Sequence, residues 1–237
     1  MATLEEGSTL QVEIWSDIAC PWCYVGKRRF EAALAQFEHR DQVQVTWRAF
    51  ELDPDAPHER EGERAARLAE KYGTTVERAR EMEQNMTDTA AAEGLALRFD
   101  IARSGNTFDG HRLVHLAAEH GLQDAMKERL LKAYLEEGEL ISDHDTLVRL
   151  GEEVGLPKDE LIDTLASDGF AAEVRDEERT AFGFGISAVP TFVIDRQFGI
   201  SGAQPPELLL QMLERGWAAR TPMEIVTGGE VCGPDGC

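Results

Sequence analysis

Leu10, Val12 and Ile14 alternate with polar neighbours along LQVEIWS, residues 10–16, the period of a strand with at least one buried face; Trp15 interrupts the alternation. From about Trp22 to Phe37 the period changes. Phe30, Ala33, Leu34 and Phe37 recur at intervals of three and four, which predicts a helix. QVQVTWRAF, residues 42–50, returns to alternation through Val43, Val45, Trp47 and Ala49 and predicts a second strand. Strand, helix and strand in that order open a βαβ unit.

After the turn-rich LDPDAP (52–57), residues 60–184 carry almost no strand signal. They form amphipathic segments near 61–72, 75–93, 107–120, 122–137, 144–154, 157–167 and 169–184, punctuated by Gly73, Gly94, Gly121, Gly138, Gly155 and Pro157. TTVE at 74–77 offers a capping box. Strand character returns in AVPTFVIDRQFGIS, 188–201, where Asp195, Arg196 and Gln197 predict a hairpin turn between Val193–Ile194 and Phe198–Ile200. Pro205 and Pro206 start a last helix through Trp217. The predicted organisation is a core of 10–55 and 185–220, an inserted helical domain of 56–184, and a Gly- and Pro-rich tail of 221–237.

Composition narrows the function classes. Of 237 residues, 24 are Lys or Arg and 45 are Asp or Glu, a net charge of -21. Such a chain is repelled by phosphate backbones and anionic membrane surfaces, so neither nucleic acid nor a membrane is an expected partner. Glu5 and Glu6 stand where a secretion signal needs positive charge, and no apolar run reaches the length of a membrane span, so a cytoplasmic location is expected. Four cysteines are too few for a disulfide scaffold in a chain of this length, and cytosolic cysteine pairs more often do chemistry or bind metal.

Cys20 and Cys23 enclose Pro21 and Trp22 in SDIACPWCYVGKRRF, at the predicted strand-to-helix junction. There Cys20 falls at the helix N-cap or first helical position. Unpaired N–H groups and the positive end of the helix dipole favour a thiolate, so the Cys20 pKa is expected below the ordinary ~8.5. Cys23, one turn on, is placed to resolve a mixed disulfide. Zinc is the competing reading, but a CxxC pair supplies two ligands of four and no second pair follows at ribbon spacing, so no metal is expected. The pair reads as a redox dithiol.

SDIACPWCYVGKRRFEAAL with GISAVPTFVI resembles the DsbA-like thioredoxin-fold proteins, and among them the FrnE subgroup. The resemblance runs from Val12 to about Trp217 and includes FELDP (50–54) and SGNTFDGHRLVHLA (104–117). It implies an α/β thioredoxin-like fold with a large all-α insertion, and a protein disulfide oxidoreductase or isomerase acting on protein thiols and disulfides. Cys20 would be the nucleophile, Cys23 the resolving cysteine and Pro190 a cis-proline opposite them. A cis bond there would expose the Val189 backbone to an extended substrate. Read without the resemblance, Pro190 is an ordinary strand-opening proline.

Further signals are softer. Cys232 and Cys237 enclose a Pro-Asp-Gly turn and form a candidate second redox pair; inert tail thiols or an accessory metal site are the alternatives. His111 and His115 lie four apart with Glu119 beyond, which reads as a solvated helix face before a metal site. The resemblance places Asn106 and His111 beside the active-site groove. Asp17 would modulate the charge of Cys20, serve as a proton acceptor or cap the loop, and Trp22 would pack and set its exposure. No cofactor is expected, with glutathione open as a redox partner. The rival functions are a glutathione-dependent isomerase or transferase of the 2-hydroxychromene-2-carboxylate isomerase and kappa-class type, and a peptide-binding chaperone. The first rival usually has serine at the nucleophilic position, which is cysteine here.

Overall fold

The computed structural model describes residues 9–220. Strand β1 (Leu10–Ser16) leads through a short loop into helix α1 (Pro21–Gln36), and β2 (Val43–Ala49) follows. Seven helices come next: α2 (Arg64–Tyr72), α3 (Val76–Ala92), α4 (Phe108–Glu119), α5 (Gln123–Leu135), α6 (His144–Val154), α7 (Lys158–Ala166) and α8 (Ala171–Gly183). The chain then forms β3 (Thr191–Ile194), β4 (Phe198–Ser201) and α9 (Pro206–Ala219). None of the described helices is long and apolar enough to cross a membrane. The tail pair Cys232 and Cys237 lies outside the described residues.

The sheet order is β2-β1-β3-β4, with β1 parallel to β2 and antiparallel to β3, and β3 antiparallel to β4. Asp195 and Arg196 adopt φ of 45° and 54° in the turn between β3 and β4, and Gln197 N–H donates to Ile194 O at 2.9 Å to close it. Gly73 and Gly155 end α2 and α6 in the left-handed conformation, where a side chain would be strained. The helix expected to begin with a Thr74–Glu77 capping box is capped one residue later. Thr75 is the N-cap, and its hydroxyl accepts from Arg78 N–H at 3.2 Å.

The central strand is buried on both faces. Leu10, Val12 and Ile14 join the main core with α1 and α9. On the other face Trp15 packs with Ala181 and Val193, its Nε1–H donating to Glu177 O at 3.1 Å. The interruption at Trp15 is thus the second buried face of a central strand. Glu13 shares that face and is held by Arg48 and Arg196, which keep its carboxyl below the usual range despite its burial.

The helical segment docks on the sheet through α5 and α8, both against β2. Helix α4 is enclosed by α5, α7 and α8, and this overturns the reading of the His111–His115 face as solvated. His111 is buried, and His115, with its side chain 15% exposed, places Nε2 3.1 Å from Glu177 Oε2. The two histidines serve different acids.

Candidate functional site

Cys20 is the N-cap of α1, with an extended backbone, and Pro21 follows at the first helical position, where the missing N–H costs nothing. Both cysteines are free and buried, Cys20 at 5% exposure and Cys23 at 1%. Cys20 faces a cavity of about 750 Å³, and Cys23 lies behind it, off the cavity wall. Across from Cys20, the Val189–Pro190 peptide is cis, and the Cys20 thiol donates to Val189 O at 3.7 Å. Gly26 on α1 packs under this loop: a Cβ at residue 26 would stand 2.8 Å from Pro190 Cγ, closer than real contacts allow. The sulfur and the carbonyl are held in register by this contact.

The dithiol ionises as a unit. The hydrogen bond to Cys23, burial and the Cys23 charge push Cys20 well above the ordinary thiol range, while the Cys23 backbone N–H at the helix start works the other way. Burial also opposes ionisation of Cys23. The Cys20 thiol, the Ser16 hydroxyl and the Lys127 charge more than offset it and bring Cys23 below the ordinary range. One proton therefore leaves the pair readily and the second with difficulty. The low pKa expected for Cys20 alone belongs to the pair, because two buried sulfurs share one proton and the nearby Asp17 carboxylate opposes a second negative charge.

Asp17 is nearly inaccessible at 1% exposure. Its Oδ1 accepts from Ala19 N–H at 3.3 Å and stands 3.4 Å from His111 Nε2, and its Oδ2 accepts from Leu52 N–H at 2.8 Å. Burial opposes the charge, but these partners hold the carboxyl below its usual range. Asp17 thus ties the loop before Cys20 to the loop after β2. His111 is pushed below the ordinary histidine range, chiefly by burial, and reaches the dithiol through Asp17.

The remaining expected site residues separate. Trp22, 45% exposed, lines the cavity mouth beside Cys20 with Leu52, and does not pack into the core. Asn106 does not line that cavity. Its amide donates to Pro54 O at 3.2 Å and its Oδ1 accepts from Phe108 N–H at 2.8 Å, so it pins the 52–57 loop. The far wall combines Met82, Met86 and Phe99 with Arg60, Arg64, Arg67 and Lys71.

Three residues were not singled out by sequence reasoning. Lys127 of α5 is 1% exposed, and its Nζ donates to Ser16 O at 3.0 Å. Burial pushes its ammonium down to about 8, against the pull of Cys23, Asp17, Cys20 and Glu177. Ser16 is fully buried, and its hydroxyl has no satisfied hydrogen bond. Glu177 of α8 takes Arg48 at 2.7 Å, Ala49 N–H at 2.6 Å and His115. A signal for Lys127 exists in the sequence. It falls in register with Leu130, Leu131 and Tyr134, so it is a charge on the apolar stripe of its helix.

A dithiol at the start of α1, facing a cis-proline loop across a four-stranded sheet, defines the thioredoxin-like class. The chain belongs to the DsbA-like thioredoxin domain family, whose model matches residues 11–214. A structure described as a probable DsbA oxidoreductase from Streptomyces coelicolor is 46% identical, with 96% of this chain and 98% of that chain covered and a TM-score of 0.86. YwbO of Bacillus subtilis is 28% identical over 78% of this chain and 87% of its own. The cytosolic disulfide reductase DsbM from Pseudomonas aeruginosa, in a structure with glutathione, shares the fold at 20% identity, covering 86% of this chain and 98% of its own, with a TM-score of 0.62. The fold is the DsbA-like thioredoxin fold, and the family implies thiol or disulfide substrates.

Proposed function

We propose that this protein is a cytoplasmic thiol–disulfide oxidoreductase of the FrnE type, which oxidises or isomerises protein disulfides through Cys20 and Cys23. The observation that carries the reading is the position of Cys20. Its sulfur alone of the pair faces the cavity, beside a carbonyl on which an extended peptide can pair. In this scheme the Cys20 sulfur attacks one sulfur of a substrate disulfide and forms a mixed disulfide, and the other substrate sulfur leaves as a thiolate. Cys23 then attacks Cys20 and releases the second thiolate; oxidation of a substrate dithiol is the reverse sequence. Pro190 and Val189 align the substrate strand, Trp22 borders its entry, and the helices of 56–184 form an inserted domain that supplies the cavity wall. Purified protein should reduce insulin with dithiothreitol and reactivate scrambled ribonuclease, and Cys20→Ser should abolish both. Retention of either activity in Cys20→Ser would remove the dithiol from the reaction.

Glutathione as redox partner is a second reading, favoured by the cavity wall. Arg67 has no carboxylate partner among the described residues, and it donates to Glu61 O at 3.0 Å and Ser104 Oγ at 3.0 Å beside the space that Cys20 faces. A peptide thiol bearing carboxylates fits that wall. Arg67→Ala should slow formation of the Cys20–glutathione mixed disulfide more than reaction with insulin; equal slowing of both would count against it.

A further inference from the structure

Both steps of exchange use a thiolate, and the second takes place when the first no longer helps. In the dithiol, the Cys20 thiol is the leading group that lowers Cys23, followed by the Ser16 hydroxyl and the Lys127 charge. Once Cys20 is bound to substrate sulfur it has no proton to donate. Cys23 is then a thiol at 1% exposure, off the cavity wall, with burial opposing its ionisation. Something else must take its proton.

Two groups beside Cys23 have unspent capacity. Lys127 makes one hydrogen bond, to Ser16 O, lies 5.9 Å from the Trp47 ring centroid, and has no carboxylate within ion-pair distance among the described residues. The Ser16 hydroxyl is buried and unsatisfied, a costly arrangement unless a partner arrives during the reaction. A thiolate on Cys23 is such a partner.

We propose that Lys127, acting with Ser16, is the proton-holding group that takes up the Cys23 proton as Cys23 resolves the mixed disulfide. This rests on the thiol–disulfide reading of the dithiol and assigns the chemistry of its second half. The balanced step begins with the Cys23 thiol, the Cys20–substrate disulfide and the neutral Lys127 amine. The Cys23–Cys20 bond forms, the bond from Cys20 to the substrate sulfur breaks, and that sulfur leaves with the electron pair as a thiolate. The Cys23 proton ends on Lys127 as an ammonium. In the oxidising direction the ammonium returns the proton to Cys23 as Cys20 is transferred to substrate. Lys127 acts by accepting the proton, and the Ser16 hydroxyl stabilises the thiolate left on Cys23.

The groups facing Lys127 are compatible with this role. Asp17 precedes α1, Cys20 is its N-cap, Cys23 is on α1, Trp47 is on β2, Glu177 is on α8 and His111 is on α4. On its own helix Asp124 accepts from Trp47 Nε1–H at 2.8 Å and is also bound to Lys27, which leaves it occupied elsewhere. Burial brings Lys127 to about 8, close enough to neutrality for a useful fraction of free amine.

The test is rapid mixing of the reduced full-length chain, with Cys232 and Cys237 changed to serine, against 5,5'-dithiobis(2-nitrobenzoate). Attack by Cys20 releases the first thionitrobenzoate, and resolution by Cys23 releases the second. Lys127→Met should preserve the first phase within a small factor and slow the second by about 100-fold near neutral pH. Lys127→Arg keeps the positive charge but does not deprotonate in this range, so its second phase should be slow as well. A wild-type second phase in Lys127→Met, or its rescue by Lys127→Arg, overturns the proposal; rescue would leave only a fixed charge. If neither variant folds, the unaltered lysine decides. The second phase should rise with pH through about 8, together with the Lys127 Nζ resonance in a nitrogen-15 titration, and a flat profile or a resonance that does not titrate there overturns it. Loss of both phases in Cys20→Ser is expected, whereas an unchanged first phase would defeat the thiol–disulfide reading itself.

Discussion

Two buried lysines lie about Trp47, each with Nζ 5.9 Å from its ring centroid, and they have opposite surroundings. Lys27 of α1, 2% exposed, reaches Glu31, Asp124 at 3.2 Å and Glu128 at 3.2 Å. Burial works against its charge, but those three carboxylates raise its pKa above the ordinary lysine value. Lys127 of α5, 1% exposed, has a carbonyl for a partner and is brought down to about 8. One cation fastens α1 to α5. The other is left near the point of losing its proton, beside the dithiol. Burial alone does not assign a role to a lysine; the number of anions within its reach does.

The largest effect expected from this contrast is a gain in stability on removing Lys127. Bringing a lysine from 10.5 to about 8 opposes folding by roughly 3 kcal/mol below pH 8. Loss of the bond to Ser16 O returns part of that, so Lys127→Met should stabilise the fold by about 2 kcal/mol at pH 7 in urea unfolding. The folded protein binds fewer protons than the unfolded chain between pH 8 and 10.5, so the wild type regains stability across that window, and above it the difference should reverse to the small cost of the lost bond to Ser16 O. A constant difference across that range would show that the ammonium is not under strain.

Lys27→Met should move the other way. Its carboxylates are 29–64% exposed and regain water, which limits the loss to about 1 kcal/mol. Stabilisation by that substitution would erase the distinction between the two sites. Asp124→Asn removes one exposed member of the Lys27 network and should cost a few tenths of a kcal/mol in the same unfolding experiment, with no change in dithiol exchange rate. A slowed second phase would show that the two lysines are coupled through Trp47.

Much of the fold was legible because local rules and tertiary packing agreed. The strand periods at 10–16 and 42–50 and the glycine stops at Gly73 and Gly155 lie close to where β1, β2, α2 and α6 begin and end. The helix start at Cys20 was legible for the same reason, since Pro21 can open a helix but not continue one. What was hidden depended on distant partners. Ser16 and Lys127 are 111 residues apart, and no local pattern marks their contact, although the charge on the stripe of Leu130 and Leu131 was a visible conflict. Asn106 resembled a groove residue because its segment borders one. Its side chain is spent on the carbonyls of Pro54 and Ala56. The HRLVH helix looked amphipathic, but neighbouring helices cover its polar side, and each histidine finds an acid there.

The approach of Gly26 to Pro190 has a mechanical consequence. With no Cβ to hold them apart, α1 and the loop before β3 meet like two gears without clearance, and a methyl group at residue 26 would be a wedge between them. A displacement of the first turns of α1 is therefore transmitted to the Val189 carbonyl, on which a substrate strand would pair in the proposed reaction. In the proposed reaction, the dithiol and the carbonyl that aligns the substrate would move as one part.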